Sequence, residues 1–210
     1  MKKYIVKEIF YTLQGEGYNA GKAAVFCRFS GCNLWNGKEK NRENAICSFC
    51  DTDFVGTNGA LGGKYTLINL VDKITKLWPR TKKDKFIVFT GGEPLLQLDK
   101  LLIKEIKDNN FKIAIETNGT ILPPPGIDWV CVSPKAKSNF ILKKANEIKL
   151  VYPQESLDPR KFEELEFDHF YIQPLYNKKL KENNKKAIDF VLKNPSWKLS
   201  IQSHKYIGVQ

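Results

Sequence analysis

Apolar positions recur along this chain with two different periods. Residues 4–13 (YIVKEIFYTL) and 23–30 (AAVFCRFS) read as strands. In the second, period-two alternation puts Val25, Cys27 and Phe29 on one face and Phe26 and Arg28 on the other. Cys27 then behaves as a small core hydrophobe. Arg28 is either a surface arginine lying along apolar neighbours or an inward anion anchor. The period changes after a glycine-rich loop at 55–64. Thr66 reads as an N-cap, and Leu67, Leu70, Val71, Ile74, Leu77 and Trp78 recur at helical spacing until Pro79 stops the helix. Further strands are predicted at 86–90, 112–117, 128–133, 147–152, 169–173 and 197–202, with Cys131 in a buried one. Helices are predicted at 98–109, 178–193 and, short, near 158–165.

Strands that alternate with helices argue for a parallel sheet with covered faces. Two connections are too short for full helices. Pro123, Pro124 and Pro125 exclude a helix from 120–127, and 134–146 allows about two turns. The expectation is an α/β fold: an abbreviated, partly open parallel β/α barrel with about six core strands and three main helices. An N-terminal strand and an expanded loop between Cys32 and Cys47 complete it. No linker, repeat or low-complexity tract divides the chain, so one domain over 1–210 is expected.

The polar and glycine-rich groups gather at the carboxyl ends of these strands. They are the cysteine loop, Gly91-Gly92-Glu93, Glu116-Thr117-Asn118-Gly119, Ser133-Pro134-Lys135, Gln173-Pro174 and His204-Lys205. In parallel barrels that rim is where ligands bind. Gln14-Gly15-Glu16-Gly17, after the first strand, reads as a tight turn against a ligand.

Composition narrows the classes. The chain has 210 residues, 42% hydrophobic, enough for one sizeable core and unlike a disordered polypeptide. No apolar run approaches bilayer length and no secretory leader is read at the start. Five unevenly spaced cysteines fit a reducing cytoplasm better than a disulfide framework. The net charge of +11 is spread along the chain, a solvated lysine-rich surface rather than a nucleic-acid footprint. Such a surface also suits an acidic electron carrier or an anionic small molecule.

The chemistry centres on Cys32 and the C-x-x-C pair Cys47 and Cys50. Two cysteines three apart can present both thiolates to one site, and a third from upstream makes three sulfur ligands. The only histidines are His169 and His204, neither nearby. A structural zinc site wants four protein ligands. Three sulfurs without a fourth ligand suggest an iron–sulfur cluster with one iron left open, although ligand type alone does not decide between cluster and zinc.

With T-G-G-E-P at 90–94, these cysteines resemble the radical S-adenosylmethionine superfamily. More narrowly, the chain resembles the 7-carboxy-7-deazaguanine synthases of queuosine and deazapurine biosynthesis. The segments that carry this are Y-T-L-Q-G-E-G (11–17), F-C-R-F-S-G-C-N-L-W (26–35), C-D-T-D-F-V-G-T (50–57), I-E-T-N-G (115–119), V-S-P-K (132–135), Q-P (173–174) and S-H-K-Y (203–206). They span nearly the whole chain. One departure is the fourteen residues between Cys32 and Cys47, where most of the superfamily has three. A subset of the synthases resembles this longer spacing, and it leaves 33–46 without a transferred role.

The resemblance implies a lyase that converts 6-carboxy-5,6,7,8-tetrahydropterin to 7-carboxy-7-deazaguanine with loss of ammonia. It implies a 4Fe–4S cluster on Cys32, Cys47 and Cys50, S-adenosylmethionine on the open iron, and Mg2+ at Thr52. Hydrogen abstraction then falls to a 5′-deoxyadenosyl radical, so no side chain is assigned as catalytic. The cofactor-binding set implied is Phe49, Cys50, Asp51, Gly92, Ser133, Pro134, Lys135, Gln173, Pro174, Leu175 and Tyr176. The substrate-binding set is Leu13, Gln14, Gly15, Glu16, Arg28, Thr90, His204 and Gln210, with Arg28 as the carboxylate anchor. A homodimer and an acidic electron carrier such as flavodoxin or ferredoxin are the implied partners, with neither nucleic acid nor membrane. Two other readings are another radical S-adenosylmethionine enzyme, such as a glycyl-radical activase, and a zinc-stabilised nucleic-acid module.

Overall fold

The structure is a computed structural model that describes residues 2–79 and 83–209. Nine strands form one sheet in the order β3-β1-β2-β4-β5-β6-β7-β8-β9. β1 (Tyr4–Leu13) runs antiparallel between β2 (Ala23–Phe29) and the short edge strand β3 (Gly63–Tyr65). From β2 onward every pairing is parallel: β4 (Phe86–Gly91), β5 (Lys112–Thr117), β6 (Trp129–Val132), β7 (Lys144–Tyr152), β8 (Glu166–Pro174) and β9 (Trp197–Leu199).

The sheet is curled. Six strands lie between β1 and β9, which is roughly 30 Å or more of flat sheet at the usual strand spacing. Yet the turn after β1 bonds to residues after β9. Gly17 N donates to Ser200 Oγ at 2.9 Å, and Ser203 donates to the Gly15 carbonyl through N at 3.0 Å and Oγ at 2.9 Å. Residues 14–22 therefore strap the two sides of an incomplete barrel together.

Register sorts the side chains. Arg28 stands beside Thr90, Glu116 beside Cys131, Cys131 beside Glu147, Glu147 beside His169, and Val151 beside Gln173. Successive strand residues point to opposite faces, so this polar set shares the concave side. The other side carries Cys27, Phe29, Ile87, Phe89, Ile113, Ile115, Ile148 and Leu150, all fully buried. Three amphipathic helices cover it: α1 (Leu67–Leu77), α2 (Lys100–Asp108) and α3 (Leu180–Lys193). Thr66 caps α1 by accepting from Asn69 N, and Asp99 caps α2 by accepting from Leu102 N.

The expected fold class stands, with differences in detail. The parallel strands number seven. β7 and β8 begin three residues before the predicted starts, because their first residues pair with one another across the sheet, Lys144 with Glu166. The turn predicted as a helix near 158–165 is a 3-10 turn over Pro159–Phe162. β9 ends at Leu199, since Ser200 is taken up by the strap, and a short helix α4 (Ser203–Ile207) follows it. β3 begins within the stretch read as a glycine loop at 55–64 and runs past it to Tyr65. No helix among the described residues is long and apolar enough to cross a membrane.

Candidate active site

A cavity of about 410 Å3 opens at the carboxyl ends of the parallel strands. Cys32, Cys47 and Cys50 all line it, with Phe49, Asp51, Thr52 and Gly92 beside them. Ser133, Lys135, Gln173, Pro174, Leu175 and Tyr176 line it too, as do Leu13, Gln14, Gly15, Glu16, Arg28, Thr90 and His204. Twenty of the expected site residues thus share one space. Pro134 is the exception among those described. It is buried away from the cavity and its carbonyl accepts from Gln154 Nε2 at 3.3 Å. Gln210 lies outside the described residues.

Two glycines are needed where the cysteine segment meets β4. Gly91 has φ +143°, and a Cβ there would lie 2.3 Å from the Phe29 carbonyl oxygen. A Cβ on Gly92 would lie 2.5 Å from Cβ of Cys32. Glu93, fully buried, fastens this turn to the end of β5. Its carboxylate accepts from Thr117 Oγ1 at 2.8 Å, Asn118 N at 2.8 Å and Leu95 N at 3.0 Å. Burial raises its pKa despite those bonds.

The three cysteines are free thiols. Cys47 donates to Cys50, which lowers the Cys50 pKa to about 6 and raises that of Cys47. Burial raises Cys32. Among the described residues no three His, Cys, Asp or Glu side chains converge closely enough to hold a single ion. A cluster spreads its thiolates over separate irons and needs no such convergence. Three thiols facing one cavity, beside a turn that only glycine permits, fit a thiolate-bound cluster.

The cavity also holds a charged network that strand patterns alone did not reveal. Lys149, in β7, is 3% exposed. Its Nζ donates to Glu16 Oε2 at 2.6 Å and to Glu116 Oε2 at 2.9 Å. Gln202 donates to Glu16 Oε1 at 2.8 Å, and Gln14 donates to Glu116 Oε1 at 3.2 Å. Burial would raise the Glu16 pKa, but the Lys149 ammonium and these hydrogen bonds hold it down at about 2. Burial also opposes the charge on Lys149, and the acidic groups around it, Cys131, Glu116, Glu16 and Glu147, raise its pKa well above the usual lysine range. Arg28 faces inward, with Nε donating to Glu8 Oε1 at 2.8 Å. His204 packs so closely on the strap that a Cβ on Gly15 would lie 2.1 Å from its Nδ1, and burial lowers its pKa.

Lys205 links two expected cofactor residues. Its Nζ lies 2.8 Å from Asp51 Oδ2 and 3.6 Å from the ring centroid of Tyr176. Lys149, Glu116, Glu8 and Gln202 were missed as site residues. The available signal was a lysine inside the apolar run of β7 and a glutamate inside that of β5, where a lone charge in a buried strand needs a partner.

A parallel, incompletely closed β/α barrel with three thiols at its carboxyl rim is the architecture of a radical S-adenosylmethionine domain. A family model described as the radical SAM superfamily matches residues 41–165, taking in Cys47 and Cys50 and beginning after Cys32. The 7-carboxy-7-deazaguanine synthase of Bradyrhizobium diazoefficiens is 52% identical over 208 residues, covering 99% of both chains. That of Bordetella pertussis is 52% identical over 207 residues, covering 98% of this chain and 99% of the relative. The crystal structure of QueE from Escherichia coli matches with a TM-score of 0.68 at 26% identity, covering 96% of this chain and 95% of that one. The chain belongs to the radical S-adenosylmethionine superfamily and, within it, to the 7-carboxy-7-deazaguanine synthase family. Membership implies a 4Fe–4S cluster and S-adenosylmethionine.

Proposed function

We propose that this chain converts 6-carboxy-5,6,7,8-tetrahydropterin to 7-carboxy-7-deazaguanine with loss of ammonia, a radical ring contraction serving queuosine and other deazapurines. The observation that carries this reading is the make-up of one cavity. Its lining includes three thiols together with Gln14, Glu16, Arg28 and His204, groups suited to a flat nitrogen-rich ring that bears a carboxylate.

When bound, the cluster and S-adenosylmethionine supply hydrogen-atom abstraction, and the protein places and shields the reactants. Cys32, Cys47 and Cys50 hold the cluster. Phe49, Asp51, Gly92, Ser133, Lys135, Gln173, Pro174, Leu175 and Tyr176 seat S-adenosylmethionine, with Pro134 shaping the turn between Ser133 and Lys135. Leu13, Gln14, Gly15 and Glu16 read the hydrogen-bonding edge of the pterin. Arg28, steered by Glu8 through Nε, presents the rest of its guanidinium to the substrate carboxylate. Thr90 and His204 close the pocket, and Gln210 completes the substrate set. Thr52 would offer a hydroxyl to Mg2+, whose charge would help to fix the substrate carboxylate.

The chain works as a single domain over 1–210 in the cytoplasm, as a homodimer reduced by an acidic carrier such as flavodoxin or ferredoxin. Free cysteines support the cytoplasm and a net charge of +11 the acidic carrier. Neither nucleic acid nor membrane is a partner.

The test is an anaerobic assay of the reconstituted protein with reductant, S-adenosylmethionine, Mg2+ and the carboxypterin. A product with the mass of 7-carboxy-7-deazaguanine is expected. Cleavage of S-adenosylmethionine without that product would return the glycyl-radical activase reading.

A further inference from the structure

Residues 33–46, the long spacer between the first and second cysteines, form more than a surface loop. Leu34 and Trp35 are each only 7% exposed. Trp35 packs edge-on against Phe54, with ring centroids 5.6 Å apart. Asn33 is tied to the end of β5, accepting from Asn118 Nδ2 at 2.9 Å and donating to Thr120 Oγ1 at 2.8 Å. A 3-10 turn over Glu39–Asn41 then delivers Arg42 back onto the site.

The Arg42 guanidinium makes four hydrogen bonds through three of its nitrogens. Nη1 donates to the carbonyl oxygens of Ser48 and Cys50, both at 2.9 Å. Nε and Nη2 bind the two carboxylate oxygens of Glu39 at 2.7 and 2.6 Å. Its carbon centre lies 4.1 Å from the Trp35 ring centroid. A planar fork satisfies this geometry, and an ammonium does not. The Cys47–Cys50 turn has one internal backbone bond, Cys50 N to Cys47 O at 3.3 Å.

We propose that Arg42 is a positioning residue for the cluster. It clamps the C-x-x-C turn in a ligand-ready form and leaves a fixed positive charge beside the thiolates. The spacer exists to deliver it, with Trp35 as platform and Glu39 as brace. Groups that orient ligands contribute substantially to metal affinity, and a nearby cation favours the form of a cluster that carries one more electron. This role rests on cluster binding alone and not on which substrate the enzyme takes.

Geometry and charge separate in two variants of the full chain, Arg42→Met and Arg42→Lys, each reconstituted anaerobically. Iron release to a chelator should quicken about tenfold or more in both, because neither side chain can make the clamp. The cluster midpoint potential should move to a more negative value in Arg42→Met and stay near wild type in Arg42→Lys, which keeps the charge. Iron release within twofold of wild type in both variants would overturn the proposal, as would an unchanged potential in Arg42→Met. Loss of folded apo-protein by far-UV circular dichroism in both would also overturn it, since Arg42 would then be a general structural residue.

Discussion

The ammonium of Lys149 lies 2.6 Å from Oε2 of Glu16, joining the middle of a buried strand to the strap that closes the barrel. Only 4% of the Lys149 side chain is exposed, and Glu116 takes a second bond from it at 2.9 Å. Removing one partner of such a group strands the others without compensation. Lys149→Met should destabilise the apo-protein by about 3–5 kcal/mol. Adding Glu16→Gln should recover part of that loss. Denaturant unfolding of the three forms checks both statements.

Acid should weaken the strap through Glu16. Its pKa is about 2 in the folded protein against an ordinary 4.5. A depressed folded pKa contributes stability that is fully present above 4.5 and is lost as pH falls toward 2. Glu93 and Glu147, whose pKa values burial raises, act with the opposite sign. The comparison with Glu16→Gln isolates the first effect. Wild type should lose more stability than the variant between pH 4.5 and 2, and parallel curves would refute it.

Gly15 is a contact point rather than a hinge. A Cβ there would meet His204 Nδ1 at 2.1 Å and Cβ at 2.9 Å. Gly15→Ala should push His204 and α4 away from the pocket. Turnover should fall about a hundredfold, the scale set by misplacing a group by an ångström. Steady-state kinetics of the reconstituted enzyme read this, and an unaltered kcat/KM would refute it.

Glu93 is the buried fastener between β4 and β5. Glu93→Ala leaves Thr117 Oγ1, Asn118 N and Leu95 N without their acceptor. At about 1–3 kcal/mol for each stranded group, a loss of at least 3 kcal/mol is expected. A thermal melt of the apo-protein measures it.

The proposed magnesium site is tested at Thr52. Thr52→Ala should raise the Mg2+ concentration for half-maximal turnover about tenfold. An identical magnesium response in wild type and variant would remove Thr52 from the metal site.

Sequence alone determined the ladder of strands and helices, since burial on one face imposes its period locally. It marked Thr66 as a cap, Cys27 as core and Cys131 as buried, and the rim residues that share the cavity. These are short-range matters, governed by alternation, capping and the conformational demands of glycine and proline. What only the tertiary structure decided is what those groups touch. Lys149 lies 133 residues from Glu16 in the chain, and Gln202 lies 186 residues from it. Curling of the sheet brings them together, and no local period encodes that. The same holds for Arg42, whose hydrophilic neighbourhood reads as loop until Trp35 turns inward beneath it. Charge pairing across a closed barrel depends on register and curvature, which are properties of the whole sheet.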